Sequence, residues 1–134
     1  SRPDCIVHCA MTDDRVLEAY EDLVGFLEAG INVVSSGPVI LLFPNPSLPD
    51  MFWDRIEEAG RKGGASLHVN GIDPGWANDL LPLQFLSLSQ RIDEVRIMEI
   101  ADYSTYDQAV SMGDIFGFGK PLDEVAPLWR PGIL

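Results

Sequence analysis

Positive charge is what this sequence has least of. Lys and Arg together number 9 against 21 Asp and Glu, a formal net charge of −12 with a pI near 4.3. Nucleic-acid phosphates and anionic membrane surfaces both need clustered Lys and Arg, so neither is expected as a partner. Long apolar runs are missing as well. The longest, residues 39–43, is strand-sized and far short of the roughly 20 residues of a spanning helix. The opening Ser-Arg-Pro-Asp has neither the basic region nor the apolar stretch of a secretory leader. Cysteine is scarce: Cys5 and Cys9, with His8 between them. On a strand, residues four apart are separated by about 13 Å, too far for a disulfide or, without other elements, a shared metal. Two unpaired core thiols and a reducing cytoplasm are the expectation, with no metal site.

Several catalytic signatures are absent too. No Gly-x-Gly-x-x-Gly follows the first strand-like run, so the usual grip on a pyrophosphate is lacking. Gly117-Phe118-Gly119-Lys120 fails as a phosphate loop, because position 114 is Asp and position 121 is Pro. That glycine-rich segment, with its two phenylalanines, can instead fold over a pocket or pack against a partner. There is no nucleophile elbow and no zinc-binding helix pattern.

What is present is a globular composition. Hydrophobic residues make up 46% of 134 residues, which excludes a disordered chain and allows one domain or parts of two. Residues 4–10 form a nearly continuous apolar run, as in a parallel strand buried on both faces. Thr12 or Asp13 can cap a helix carrying Val16, Tyr20, Leu23, Val24 and Leu27 at helical spacing, with Gly30 as its left-handed stop. A strand is expected over residues 31–36, completing a βαβ unit. Gly37-Pro38 breaks the chain at that strand's carboxyl end, as an ordinary strand exit or, since open α/β sheets bind ligands there, as a functional turn. A rigid loop, residues 44–49, places Pro49 at the first position of a second helix. Phe52, Ile56 and Ala59 mark its buried face, and Gly63-Gly64 ends it. Residues 65–69 read as a third strand, with His68 as a strand residue making a local hydrogen bond.

Residues 69–79 carry the most information. A strand enters a loop with Gly71, Asp73, Pro74 and Gly75, and a helix starts with Trp76, Asn78 and Asp79 on its first turn. Glycine and proline fix a tight turn there. Asp73 can cap the helix with Pro74 at its first position, or contact a ligand, and the two roles are compatible. A leucine-rich helix is expected over 76–91, apolar almost all round and so buried between layers. Residues 92–103 alternate from Glu94 to Asp102 with one irregularity at Met98-Glu99, as in a strand with one open face. A short helix is expected over 106–112.

In order along the chain come Asp-Cys-Ile-Val-His-Cys-Ala, Gly-Ile-Asn-Val-Val-Ser-Ser, Gly-Ile-Asp-Pro-Gly-Trp-Ala-Asn-Asp, Met-Glu-Ile-Ala-Asp-Tyr and Phe-Gly-Phe-Gly. The series resembles the dihydrodipicolinate reductase-like oxidoreductases, in the branch of 2,4-diaminopentanoate dehydrogenase and native amine dehydrogenases. It covers nearly the whole chain, and the Gly-Ile-Asp-Pro-Gly-Trp loop is its most specific part. The resemblance implies an α/β fold: the C-terminal half of a Rossmann-type parallel sheet over residues 1–75, then the beginning of an α+β substrate and dimerisation domain over 76–134. It also implies that the glycine-rich first half precedes Ser1 and that the second domain continues past Leu134, so that the chain reads as an internal fragment.

The resemblance further implies NADP or NAD as cofactor, with binding by these residues alone weak or absent, and a small carbonyl, imine or amine substrate. A homodimer is implied for the full-length form. Cys9, Ala10 and Met11 would lie beside the cofactor, Ser35, Ser36 and Gly37 near the nicotinamide, and Gly71 at the same edge. Asp73 would be the proton or amine partner, with Trp76, Asn78 and Asp79 toward the substrate. One departure is visible. Amine-forming members are expected to carry a glutamate after the second strand, where this chain has Gly37-Pro38-Val39. That weighs against amine dehydrogenase activity and leaves the broader reductase reading, hydride transfer to or from a C=O or C=N carbon. The alternative from a different class is a non-enzymatic remnant or binding domain without cofactor affinity.

Overall fold

The computed structural model describes residues 2–12, 14–43 and 49–130. Three short strands, β1 (Cys5–His8), β2 (Asn32–Ser35) and β3 (Leu67–Val69), form a parallel sheet in the order β1-β2-β3. Ile6, Val33 and Leu67 share one row across it, and Val7, Val34 and His68 the next. Parallel neighbours need a crossover. Helix α1 (Val16–Glu28) joins β1 to β2, and helix α2 (Asp50–Gly63) lies between β2 and β3. Mixed helix and strand around a small parallel sheet is an α/β arrangement.

The core lies between the helices and one face of the sheet. Tyr20, Leu23, Val24 and Leu27 of α1 meet Ala59 of α2 and Val33 and Val69 of the strands, with Phe52, Trp53 and Ile56 packed against them. The expected apolar spacing therefore marks the buried faces of both helices. Gly30 ends α1 at φ +74°, and the amides of Gly30 and Ile31 return to the carbonyls of Leu27 and Phe26. That pair of bonds is a Schellman motif. Gly64 closes α2 the same left-handed way, at φ +64°. Across the helix pair, Arg55 holds Glu21 through both guanidinium nitrogens, and Lys62 reaches Glu28 at 3.1 Å.

Several expectations need correction. Arg15, not Thr12, occupies the cap position of α1, with no side-chain cap bond; Asp13 lies outside the described residues, as do residues 44–48. Pro49 precedes α2 with an extended ψ of 138° and is not its first helical residue. The apolar run at 39–43 makes a 3₁₀ turn, Val39–Leu41. β1 is not buried on both faces: Val7 is 73% exposed and both cysteines are exposed, so neither is a core thiol. The cause is topological. Both helices pack on one side of the sheet, and alternate side chains of an edge strand point away from them.

Beyond β3 the differences are larger. Irregular helical turns span Ile72–Leu80, broken by non-helical geometry at Asp73, Pro74 and Gly75, and α3 (Leu81–Leu86) follows. The helix stops at Leu86, short of residue 91, and none of its side chains is buried. Pro82 has no N–H to offer the turn before it, and the amide of Leu81 reaches back to Trp76, a π-type bond. Residues 92–102 form no strand among the described residues, because nothing pairs with them. In place of a helix at 106–112 there is a 3₁₀ turn at Tyr103–Thr105 and a π-type turn at Val110–Ile115.

Two compact units result, one running to Ile97 and one beginning at Met98. The second is built around Tyr103, whose ring meets those of Phe116 and Phe118 at 5.6 and 5.8 Å between centroids and Tyr106 at 6.0 Å. Phe116 and Phe118 of the glycine-rich segment thus pack within their own unit. Asp102 accepts a bond from the amide of Ser104 at 2.9 Å, which holds its carboxyl below the usual range. No helix among the described residues is long and apolar enough to cross a membrane.

Candidate functional site

The parallel sheet aligns three strand exits at one edge. After β1 come Cys9, Ala10 and Met11, all exposed. β2 ends at Ser35 and is followed by Ser36 and Gly37, and after β3 come Asn70 and Gly71. Backbone bonds lock the exits together: Ser36 N–H donates to His8 at 3.1 Å, and Asn70 N–H to Ser35 at 2.9 Å. All seven residues expected beside a cofactor, Gly71 included, therefore lie at the carboxyl edge, where ligands of open α/β sheets bind.

Ser35 is the centre of this edge. Its side chain is buried, and its hydroxyl donates to the carbonyl of Gly37 and accepts the Gly37 amide at 3.3 Å. The His8 Nδ1 atom is 2.9 Å from the same oxygen. A hydroxyl has one proton. The His8 carbonyl is a second acceptor for it, at 3.3 Å; with the proton on either carbonyl, the hydroxyl oxygen accepts from His8 Nδ1. The turn itself is tight. The Gly37–Pro38 peptide is cis, Pro38 is fully buried, and a Cβ on Gly37 would collide with the hydroxyl of buried Thr12.

The loop after β3 carries the other candidates. The Asp73–Pro74 peptide is also cis. Gly75 has φ +133°, a conformation open to glycine, and any Cβ there would strike the Asn70 side chain. Asp73 accepts a bond from the Asn78 amide side chain. Pro74, at φ −70° and ψ 154°, is extended, so the capping arrangement with Pro74 as first helical residue does not form. Trp76 is about half exposed, its amide tied to the Gly71 carbonyl at 2.8 Å.

An open cavity of about 320 Å³ lies beside this loop. Leu42, Phe43, Val69, Pro74 and Leu80 supply an apolar lining, with His68, Asn70 and Asp79 as its polar groups. Of the four residues expected on the substrate side, Asp79 lines the cavity; Asp73, Trp76 and Asn78 do not. Sequence reasoning set His68 aside and passed over Asn70. The available signal was position, since His68 lies in the third strand of a parallel sheet and Asn70 directly follows it. An apolar pocket with a carboxylate, an imidazole and an amide can hold a small molecule with one polar end.

With this geometry in view, comparison with known proteins has a direction. The chain is similar to a curated protein from Streptomyces virginiae described as an amine dehydrogenase. The two are 39% identical over 133 residues. That alignment takes in 99% of this chain and 37% of the relative, so the chain spans little more than a third of the length of the protein it matches. No family model matches the chain, and no solved structure does. The relationship to an amine dehydrogenase bears directly on the turn after β2. The relative carries the name of the activity that Gly37-Pro38-Val39 argued against.

Proposed function

We propose that these residues are the substrate-side part of an NAD(P)H-dependent oxidoreductase of the dihydrodipicolinate reductase-like family, on its amine dehydrogenase branch. The reaction is hydride transfer between the nicotinamide and a C=O or C=N carbon of a small substrate. The observation that carries the reading is the 39% identity to an amine dehydrogenase along 99% of the chain. The three aligned strand exits and the adjoining cavity support it. On the same reading, residues 1–75 are the later part of a Rossmann-type domain and residues 76–134 open a substrate and dimerisation domain.

The described residues fit one end of a dinucleotide. Exposed Cys9, Ala10, Met11 and Ser36 can flank a flat ring at the carboxyl edge, while Ser35 keeps their turn in place. They do not fit the pyrophosphate: the sequence has no Gly-x-Gly-x-x-Gly, and its charge is strongly negative. The cofactor supplies the hydride when bound. The chain's own part is to position and polarise. Asp73, held by Asn78, is the proton partner of the reacting carbon's oxygen or nitrogen. Asp79 and Asn70 orient the substrate's polar end on the cavity wall, and the apolar lining receives its nonpolar part.

The test has two readouts. In the first, a chimera carries this chain in place of the matching stretch of the Streptomyces virginiae protein and is assayed for nicotinamide reduction with small amines. Retained turnover is expected. In the second, amide shifts of the 134-residue chain are followed while NADPH is added to millimolar concentration. Weak shifts confined to Cys9–Met11, Ser35–Gly37 and Gly71 are expected. An inactive chimera that folds, together with no shifts, would leave the non-enzymatic binding domain as the reading.

A further inference from the structure

His8 is the last residue of β1 and lies partly buried at the carboxyl edge of the sheet. One corner of its ring is fixed. Nδ1 gives its proton to the Ser35 hydroxyl, 2.9 Å away, and that oxygen is tied to Gly37. In a neutral imidazole with a donating Nδ1, the other nitrogen keeps its lone pair. Nε2 is therefore an acceptor, and among the described residues it has no partner. Nor is it sealed off: the buried side-chain nitrogen left unmatched among those residues is Trp53 Nε1. The backbone around it is largely engaged. The carbonyls of His8 and Ser35 accept the amides of Ser36 and Asn70, and the Gly71 carbonyl accepts that of Trp76. The Gly37 carbonyl accepts the Ser35 hydroxyl.

We propose that His8 Nε2 accepts a hydrogen bond from the carboxamide N–H of the nicotinamide and so fixes which way the ring lies at the carboxyl edge. This contact rests on the nicotinamide-dependent reading of the chain. A carboxamide nitrogen carries only donors, and an amide donor taken from water without an acceptor is costly. Ribose hydroxyls, the other donors at that end of a dinucleotide, can also accept and are less tied to one kind of partner. Charge agrees with the assignment. The oxidised nicotinamide ring is a cation. A neutral imidazole offering a lone pair leaves that cation unrepelled, whereas an imidazole protonated at both nitrogens would set a like charge beside it. Ser35 acts through His8: by taking the Nδ1 proton it keeps the lone pair on Nε2.

Nitrogen-15 spectra of the imidazole in the 134-residue chain test the contact. His68→Gln leaves His8 as the sole histidine signal. NADP+ is added to millimolar concentration, and so, separately, is its nicotinic acid analogue, which has a carboxylate in place of the carboxamide. NADP+ is expected to move Nε2 upfield, as for a nitrogen that has gained a hydrogen bond, and to leave Nδ1 in place; the analogue is expected to move neither. Dissociation constants of the chimera with the Streptomyces virginiae protein, from tryptophan quenching, give the second measurement. His8→Leu is expected to weaken NADP+ by about three- to tenfold, the worth of one hydrogen bond, and to leave the analogue unchanged. His8→Gln keeps an acceptor and is expected to recover part of the loss. A purely structural role would weaken both dinucleotides equally. That result, or an unmoved Nε2 with amide shifts at Cys9–Met11 and Ser35–Gly37, would overturn the contact and leave the reductase reading standing. No shifts in the chain and no NADP+ binding by the chimera would overturn both.

Discussion

His8 and Ser35 lie opposite each other in β1 and β2, and the Nδ1 of His8 is 2.9 Å from the Ser35 hydroxyl oxygen. The same oxygen serves the Gly37 amide and its proton serves the Gly37 carbonyl. One buried hydroxyl thereby ties the end of the first strand to the turn after the second. Ser35→Ala removes all of these bonds and leaves buried polar groups unmatched, at a cost of about 1–3 kcal/mol. Urea unfolding measures that loss. Nitrogen-15 spectra of the imidazole should show the Nδ1–H tautomer in the parent, and its loss in the variant. An unchanged tautomer would mean that Ser35 does not set it.

Two glycines in the helices behave oppositely. Gly63, in the last turn of α2, lies against the Leu27 carbonyl of α1, and a Cβ there has no space. Gly63→Ala forces the two helices apart and should destabilise by about 1–3 kcal/mol. Gly25 is exposed in the middle of α1, with nothing near its missing Cβ. Gly25→Ala should stabilise by about 0.5–1 kcal/mol, since alanine loses less freedom in a helix. Thermal melts of the two variants check both signs. If the shifts matched in direction, the close approach of α1 and α2 would be wrong.

Tyr20 gives the core a dependence on high pH. Its hydroxyl donates to the Phe52 carbonyl at 2.7 Å, and its ring meets the Phe52 ring edge-on at 5.2 Å. Burial raises its pKa above the ordinary tyrosine value, with the Arg55 guanidinium above the ring pulling the other way. A raised folded-state pKa means stability that is complete below the unfolded value and lost as pH climbs through the folded one. Stability should therefore fall from about pH 10 upward. Tyr20→Phe should be weaker than the parent by about 1 kcal/mol at neutral pH, for the unmatched carbonyl. It should also lose this part of the alkaline decline. Denaturant midpoints at pH 7 to 11 separate the two effects.

Legibility followed the range of the forces involved. α1 and α2 were readable because Val16 to Leu27 and Phe52 to Ala59 repeat at helical spacing, and Gly30 and Gly64 mark their ends. The three strands were readable as short β-rich runs between them. What failed depended on partners distant in sequence. Val7 and Cys5 are apolar enough for a two-sided core, yet both helices lie on the other face. Residues 92–102 alternate as a strand does, but alternation supplies no neighbour. At the site, glycine and proline located the turns at 37–38 and 71–75, whereas the cavity joins Leu42 and Phe43 to His68 and Asp79 and could not be seen from spacing.

The two carboxylates of the β3 loop should separate kinetically. Asp73 accepts a bond from Asn78 and does not itself line the cavity, and Asp79 is on the cavity wall. If Asp73 moves the proton, its contribution appears in the transition state. Asp73→Asn in the chimera with the Streptomyces virginiae protein should then lower kcat by at least about tenfold, with KM little changed. If Asp79 orients substrate before and during reaction alike, Asp79→Asn should raise KM and leave kcat nearly constant. Asn78→Ala removes one hydrogen bond to the Asp73 carboxylate and should give a weaker version of the Asp73→Asn defect. Turnover of Asp73→Asn within about threefold of the parent would remove Asp73 from the chemistry. A fall in kcat for Asp79→Asn alone would move the proton-transfer role to the cavity wall.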